Sequence, residues 1–145
     1  MAVLLLIHGP NLNRLGLRDS AHYGKKTLAD IEESVKNAAV ALGYEVKAFQ
    51  SNHEGAIIDF LQKESAQAAG IIINPGAFTH YSRAIYDALL DAKLPAVEVH
   101  LSDINSREEW RRVSVTAPAC IAQISGKGEA GYVEAVEVLH KHLTK

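Results

Sequence analysis

The sequence predicts an open α/β sheet of five parallel strands with helices on both faces. Three observations lead there. Short unbroken apolar runs stop at glycine, proline or asparagine. Between them lie stretches with an apolar residue every three or four positions. The two kinds of segment alternate along the whole chain.

The first run, residues 3–7, ends at His8-Gly9-Pro10 and reads as a strand buried on both faces. Leu28, Ile31, Val35, Ala38 and Leu42 then mark an amphipathic helix, with Thr27 as its N-cap and Gly43 as its stop. Residues 44–49 make the second strand. Ile57, Ile58, Leu61 and Ala68 place a helix after it, and 70–73 form a third strand closed by Asn74-Pro75-Gly76. Tyr81, Ala84, Ile85, Ala88 and Leu89 mark the next helix, with Thr79 near its start. Residues 95–100 are the fourth strand. Ser106 and Glu109 fit a capping box for a short helical segment. Residues 120–125 are the fifth strand, and Tyr132, Val136, Leu139 and Leu143 step along a final helix.

Right-handed crossovers put helices on both faces of such a sheet. For five strands the commonest open arrangement is the flavodoxin-like order 2-1-3-4-5. Ligands on that topology bind outside the carboxyl ends of the strands, where strands 1 and 3 diverge. Strand 1 delivers His8, Pro10 and Asn11 to that edge. Strand 3 delivers Asn74, Gly76 and Ala77, with His80 beyond them, and strand 4 delivers His100, Leu101 and Ser102.

The 145 residues suit one domain, 1–145, with 48% apolar and 22% charged residues, which excludes a disordered polyelectrolyte. Fifteen basic against seventeen acidic residues, a net charge of −2, exclude a strongly basic nucleic-acid binder. The lone Cys120 cannot close a disulfide within the chain. No apolar run has the length of a membrane span, and none has the form of a signal peptide, so a cytoplasmic protein is expected.

Glu98 and His100 are two apart on a strand and share a face. A carboxylate beside an imidazole favours its charged form, which suits a general acid. The same spacing also suits a strand-end histidine that hydrogen-bonds a loop. The connection 9–26 is long for a strand-to-helix loop and carries Arg14, Arg18 and Tyr23. Making a phenol about a hundredfold more acidic takes about 2.7 kcal/mol. One guanidinium at about 4 Å supplies at most about 4 kcal/mol at an effective dielectric near 20. A closing loop could therefore make Tyr23 a base; an exposed tyrosine in a mobile loop has the same sequence.

Other signals lead nowhere. Gly126, Gly128 and Gly131 match a dinucleotide-binding spacing but follow the last strand, so a tight turn and close helix packing are expected. His140 and His142 point to different sides of a helix. Cys120 reads as a core thiol, no lysine ends a buried strand as a Schiff-base candidate, and no cluster has metal-ligand spacing. The chemistry expected is proton transfer without cofactor or metal.

Seven segments carry a resemblance: GPNLNRLG at 9–16, YG with TL at 23–28, QSNHEG at 50–55, INPGAFTHYS at 73–82, EVHLSD at 98–103, REEWR at 107–111 and GKGEAGY at 126–132. In this order and over nearly the whole chain, they resemble type II 3-dehydroquinate dehydratase (type II dehydroquinase). The resemblance implies a lyase that reversibly dehydrates 3-dehydroquinate to 3-dehydroshikimate by anti elimination through an enolate, without cofactor. Such an enzyme serves the shikimate pathway, and so chorismate and aromatic amino acid biosynthesis, or quinate catabolism. It further implies Tyr23 as the base, Arg18 as the lid arginine favouring its phenolate with Arg107 as a second candidate, and His100 as the acid. Glu98 would orient His100, and Asn11 would stabilise the enolate through a bound water. Asn74, Leu101 and Ser102 would hold the substrate carboxylate, and His80 and Arg111 the ring hydroxyls. Asp87 would reach a neighbouring subunit's site in a homododecamer, a tetramer of trimers, with no nucleic-acid or membrane partner.

Three positions depart from the family pattern. Asp19-Ser20 stands for Glu-Pro after the lid arginine, Asp103 for a frequent asparagine, and Asn105 for a common histidine. Loss of the proline is expected to loosen the open lid, and Asp103 to weaken substrate binding. A receiver or flavin module on the same topology is the leading non-enzyme alternative. A receiver needs an aspartate after strand 3 and acids after strand 1, where Asn74 and Asn11 stand. An inactive relative retained for assembly is a further alternative, opposed by the intact Arg18, Tyr23 and His100 set.

Overall fold

The computed structural model describes residues Met1–Lys145. Five parallel strands, β1 (Ala2–His8), β2 (Tyr44–Gln50), β3 (Gly70–Asn74), β4 (Ala96–His100) and β5 (Ala122–Ser125), form one sheet in the order β2-β1-β3-β4-β5. This is the flavodoxin-like order expected. The helices are α1 (Ser20–Tyr23), α2 (Leu28–Ala41), α3 (Glu54–Glu64), α4 (Arg83–Ala92) and α5 (Ala130–Leu143).

Alternation along the strands splits the core in two. Leu4, Leu6, Ile72, Val97 and Val99 pack with Ile31 and Val35 of α2 and with Tyr132, Val136 and Leu139 of α5. Leu5, Ile7, Ile71 and Ile73 pack on the opposite face with Ile57 and Leu61 of α3 and Ile85 and Leu89 of α4. Both faces of the central strands are covered, which is why their sequences are unbroken apolar runs. The register sets His8 beside both Gln50 and Asn74, so three strand ends align at one edge.

Thr27 caps α2 as expected: its Oγ1 accepts from the Asp30 N–H, and the Asp30 carboxylate accepts from the Thr27 N–H. Elsewhere the boundaries move. Ser82, not Thr79, caps α4, accepting from the Ile85 N–H at 3.1 Å, and Tyr81 lies outside the helix, exposed. α3 ends at Glu64 and a single 3₁₀ turn follows, leaving Ala68 extended beyond it. Strand β5 starts at Ala122, because the Ala117–Ala119 turn with its proline ends just before Cys120. Ser106 and Glu109 form no capping box. Asp103 caps the turn Ile104–Ser106, and Glu109 opens a separate turn, Glu109–Arg111.

Candidate active site

At the β1/β3 divergence two loops are in backbone contact. The Gly9 N–H donates to the Asn74 carbonyl at 2.8 Å. A Cβ on Gly9 would sit 2.2 Å from the Pro75 carbonyl oxygen, so no larger residue fits. Asn11 takes the left-handed conformation (φ 68°), which asparagine tolerates, and its N–H donates to Asn52 Oδ1 at 3.0 Å. Gln50 at the end of β2 donates to the Gly9 carbonyl at 3.1 Å. Asn74 is fixed at both ends of its amide: Nδ2 donates to the Tyr132 hydroxyl at 2.8 Å, and Oδ1 accepts from the Gly76 N–H at 3.0 Å.

The long connection is anchored by Leu12 and Leu15, both buried in the α2/α5 core. Asp19 Oδ1 accepts from the Ala21 N–H at 3.0 Å and caps α1, so the Asp-Ser pair in place of Glu-Pro starts a short helix. Tyr23 ends that helix. Both candidate arginines meet it, each in its own way. Arg18 lies over the ring, its Cζ 3.7 Å from the centroid, whereas Arg107 Nη2 donates to the Tyr23 hydroxyl at 3.4 Å. Arg107 also donates through Nη1 to Ser102 Oγ at 3.1 Å. A cation over an aromatic face acts through the ring; a donor along the oxygen acts on the charge itself.

His100 and Glu98 share a face and are hydrogen-bonded, Nε2 to Oε2, at 2.9 Å. Both are buried. Glu98 also accepts from Ser114 Oγ and Gln123 Nε2, each at 2.8 Å, and from Thr116 Oγ1. Burial alone would raise its pKa. The His100 hydrogen bond and charge, then the Thr116 and Gln123 bonds, outweigh burial and bring it down to about 2. His80 hydrogen-bonds the Val113 carbonyl through Nδ1 at 2.7 Å, and burial lowers its pKa. Arg111 lies over the Trp110 ring and pairs with Glu108 at 2.9 Å.

One cavity gathers Asn11, Arg18, Tyr23, Asn74, His80, His100, Leu101, Ser102, Arg107 and Arg111. Glu98 stands behind His100. Asp87 does not line this cavity; it is exposed on α4. The loops also recruit residues whose roles the sequence did not indicate. Gln50 and Asn52 support the β1 loop, Tyr132 holds Asn74, Ser114, Thr116 and Gln123 surround Glu98, and Glu108 ties Arg111. Only Gln50, Asn52, Glu108 and Tyr132 had a signal, as members of the recognisable segments.

The other features are structural. Gly126 and Gly128 adopt positive φ, and their N–H groups donate to the Ser102 and Leu101 carbonyls, while Gly131 packs against Ile124 and Val99. His140 bonds the Tyr44 hydroxyl at 2.8 Å. Cys120 is half-buried, its thiol pushed up to about 12 by burial and by the Glu98 charge. Nowhere do three His, Cys, Asp or Glu side chains converge to hold a metal ion.

The family model described as dehydroquinase class II matches residues 2–140. A 3-dehydroquinate dehydratase of Clostridium perfringens (strain SM101 / Type A) is 53% identical over 141 residues, 97% of each chain. Among solved structures, the type II dehydroquinase from Butyrivibrio crossotus DSM 2876 superposes with a TM-score of 0.92 at 45% identity, covering 95% of this chain and 97% of that one. The type II dehydroquinase from Propionibacterium acnes also gives 0.92, at 34% identity and 97% coverage of both. Sheet order and these similarities agree: the chain belongs to the type II dehydroquinase family.

Proposed function

We propose that this chain dehydrates 3-dehydroquinate to 3-dehydroshikimate in the shikimate pathway, with the residues of the cavity above as its machinery. The observation that carries the reading is the sharing of one cavity by two oppositely prepared groups: a phenol contacted by two guanidinium groups, and an imidazole backed by a buried carboxylate.

Tyr23, as phenolate, removes the proton from C2, alpha to the C3 ketone, and the electron pair moves onto the ketone oxygen as an enolate. Arg107 and Arg18 supply positive charge to the phenolate, and Asn11 stabilises the enolate oxygen through a bound water. His100 then protonates the C1 hydroxyl. The C1–O bond breaks, water leaves, and the enolate electrons form the C1–C2 double bond. With Nε2 on Glu98, the proton donated is the one on Nδ1. Returning the proton from Tyr23 to His100 restores the starting state without cofactor. Asn74, Leu101 and Ser102 bind the carboxylate, and His80 and Arg111 the ring hydroxyls. For anti elimination the base and the acid act on opposite faces of the ring.

The same reading makes 1–145 one catalytic domain of a cytoplasmic homododecamer, in which the exposed Asp87 reaches a neighbouring subunit's site. Exposed Tyr81, Trp110 and Val113 supply apolar area for subunit contacts. No helix is long and apolar enough to cross a membrane. The test is the rise in enone absorbance from 3-dehydroquinate, measured with EDTA and again after borohydride treatment. Retention of activity in both is expected, since neither a metal nor an imine takes part. No turnover by the intact oligomer would refute the reading.

A further inference from the structure

Glu98 is fully buried, yet more donors converge on it than orienting a histidine requires. Oε2 accepts from His100, Ser114 and Gln123, and Oε1 from Thr116. Each hydroxyl has one proton. Those of Ser114 and Thr116 are committed to Glu98, so Thr79 Oγ1, 2.9 Å from Ser114 Oγ and 2.7 Å from Thr116 Oγ1, gives its one proton to one of the two. Every hydroxyl dipole in the group therefore points inward, and neither Thr79, Ser114, Thr116 nor Gln123 lines the cavity.

We propose that Thr79, Ser114, Thr116 and Gln123 are positioning residues for the dehydration, holding Glu98 as a carboxylate locked on His100 Nε2 so that the imidazole stays the cationic acid. The inference rests on His100 being that acid. A carboxylate buried without such donors takes the proton from its imidazole neighbour. The pair would then be a neutral imidazole beside a carboxylic acid, and Nδ1–H of a neutral ring is a far weaker acid. With the donors in place, the Nδ1 proton passes to the C1 hydroxyl, and the neutral imidazole keeps its Nε2–H on Glu98.

Other charges face the pair without replacing this control. His80 and Arg111 approach from the loops after β3 and β4; burial lowers the His80 pKa, and Arg111 brings a guanidinium to the same cavity. Cys120, beside β5, stays a thiol. Arg18, Tyr23 and Arg107 line the same cavity.

The test uses the assembled enzyme and 3-dehydroquinate. Thr116→Val keeps the side-chain shape and removes the hydroxyl. Its kcat is expected to fall about tenfold, the scale of a hydrogen bond to a charged group, with KM unchanged. The high-pH limb of kcat moves up by about half a pH unit, because the pair as a unit holds its proton more tightly. Thr116→Ser restores both. Gln123→Leu, on the edge strand β5, moves the limb in the same direction and serves if Thr116→Val does not fold. His100→Asn, run alongside, should lose the limb altogether; if the limb persists there, the acid assignment falls and this inference with it. Loss of the limb in His100→Asn, with wild-type kcat and profile in the Thr116 and Gln123 variants, overturns this inference alone.

Discussion

Replacing Arg107 by glutamine removes the cation that reaches the Tyr23 oxygen while leaving Arg18 over the ring. At 3.4 Å and an effective dielectric near 20, a full charge on that oxygen would gain about 5 kcal/mol. Tyr23 is only half-buried, and solvent screening removes roughly half of that. The remaining ~2–3 kcal/mol corresponds to about a hundredfold in kcat. Glutamine also cannot reproduce the fork that reaches Ser102 at 3.1 Å, so KM should rise a few-fold. The assay is the initial rate of enone formation, with thermal unfolding and oligomer size checked in parallel. An Arg107→Gln enzyme with wild-type kcat would refute the assignment of Arg107 to the phenol oxygen.

Tyr23→Phe should keep the fold and lose about 10²–10⁴-fold in kcat, the usual contribution of a general base; full-rate turnover excludes Tyr23 as the base. Asp103→Asn should lower KM by about twofold, a small effect because Asp103 is exposed and caps a turn through the Asn105 N–H, which asparagine also does. An equal or higher KM in side-by-side titration would count against any charge effect there. His8 is fully buried with neither ring nitrogen hydrogen-bonded, and burial lowers it from 6.5 to about 4. A histidine depressed in the folded state stabilises the protein above its unfolded value and loses that contribution as pH falls from 6.5 toward 4. Denaturant melts should therefore show His8→Leu losing up to ~2 kcal/mol less than wild type between about pH 7 and pH 5; parallel losses would show that His8 takes up its proton alike in the folded and unfolded states. Gly9→Ala should destabilise by about 1–3 kcal/mol or more, since the new Cβ meets the Pro75 carbonyl; an unchanged melting temperature would mean the two loops can separate freely.

Much of the fold is legible because its signals are local. Residues 3–7, a short apolar run stopped by Gly9-Pro10, read as a doubly buried strand, and the 3–4 spacing of Leu28, Ile31, Val35 and Ala38 faces one core, whereas Leu42 lies past the helix end and is exposed. Five such strands alternating with helices leave few topologies, and the chosen one names the edge where Asn11, Asn74 and His100 emerge. The shared face of Glu98 and His100 follows from the two-residue period alone. Boundaries are harder: Ser82 and Thr79 are both good caps by composition, and packing of the preceding turn selects Ser82.

What the chain determines by itself, then, is the sheet, its order and the row of polar residues along one edge, because steric and hydrophobic preferences act within a few residues. Only the tertiary structure decides which arginine reaches the phenol oxygen, that Tyr132 holds Asn74 across 58 positions, and that Thr79, Ser114, Thr116 and Gln123 close around one carboxylate. Those pairings join residues far apart in sequence. Side-chain reach and loop packing set them, and neither leaves a periodic trace.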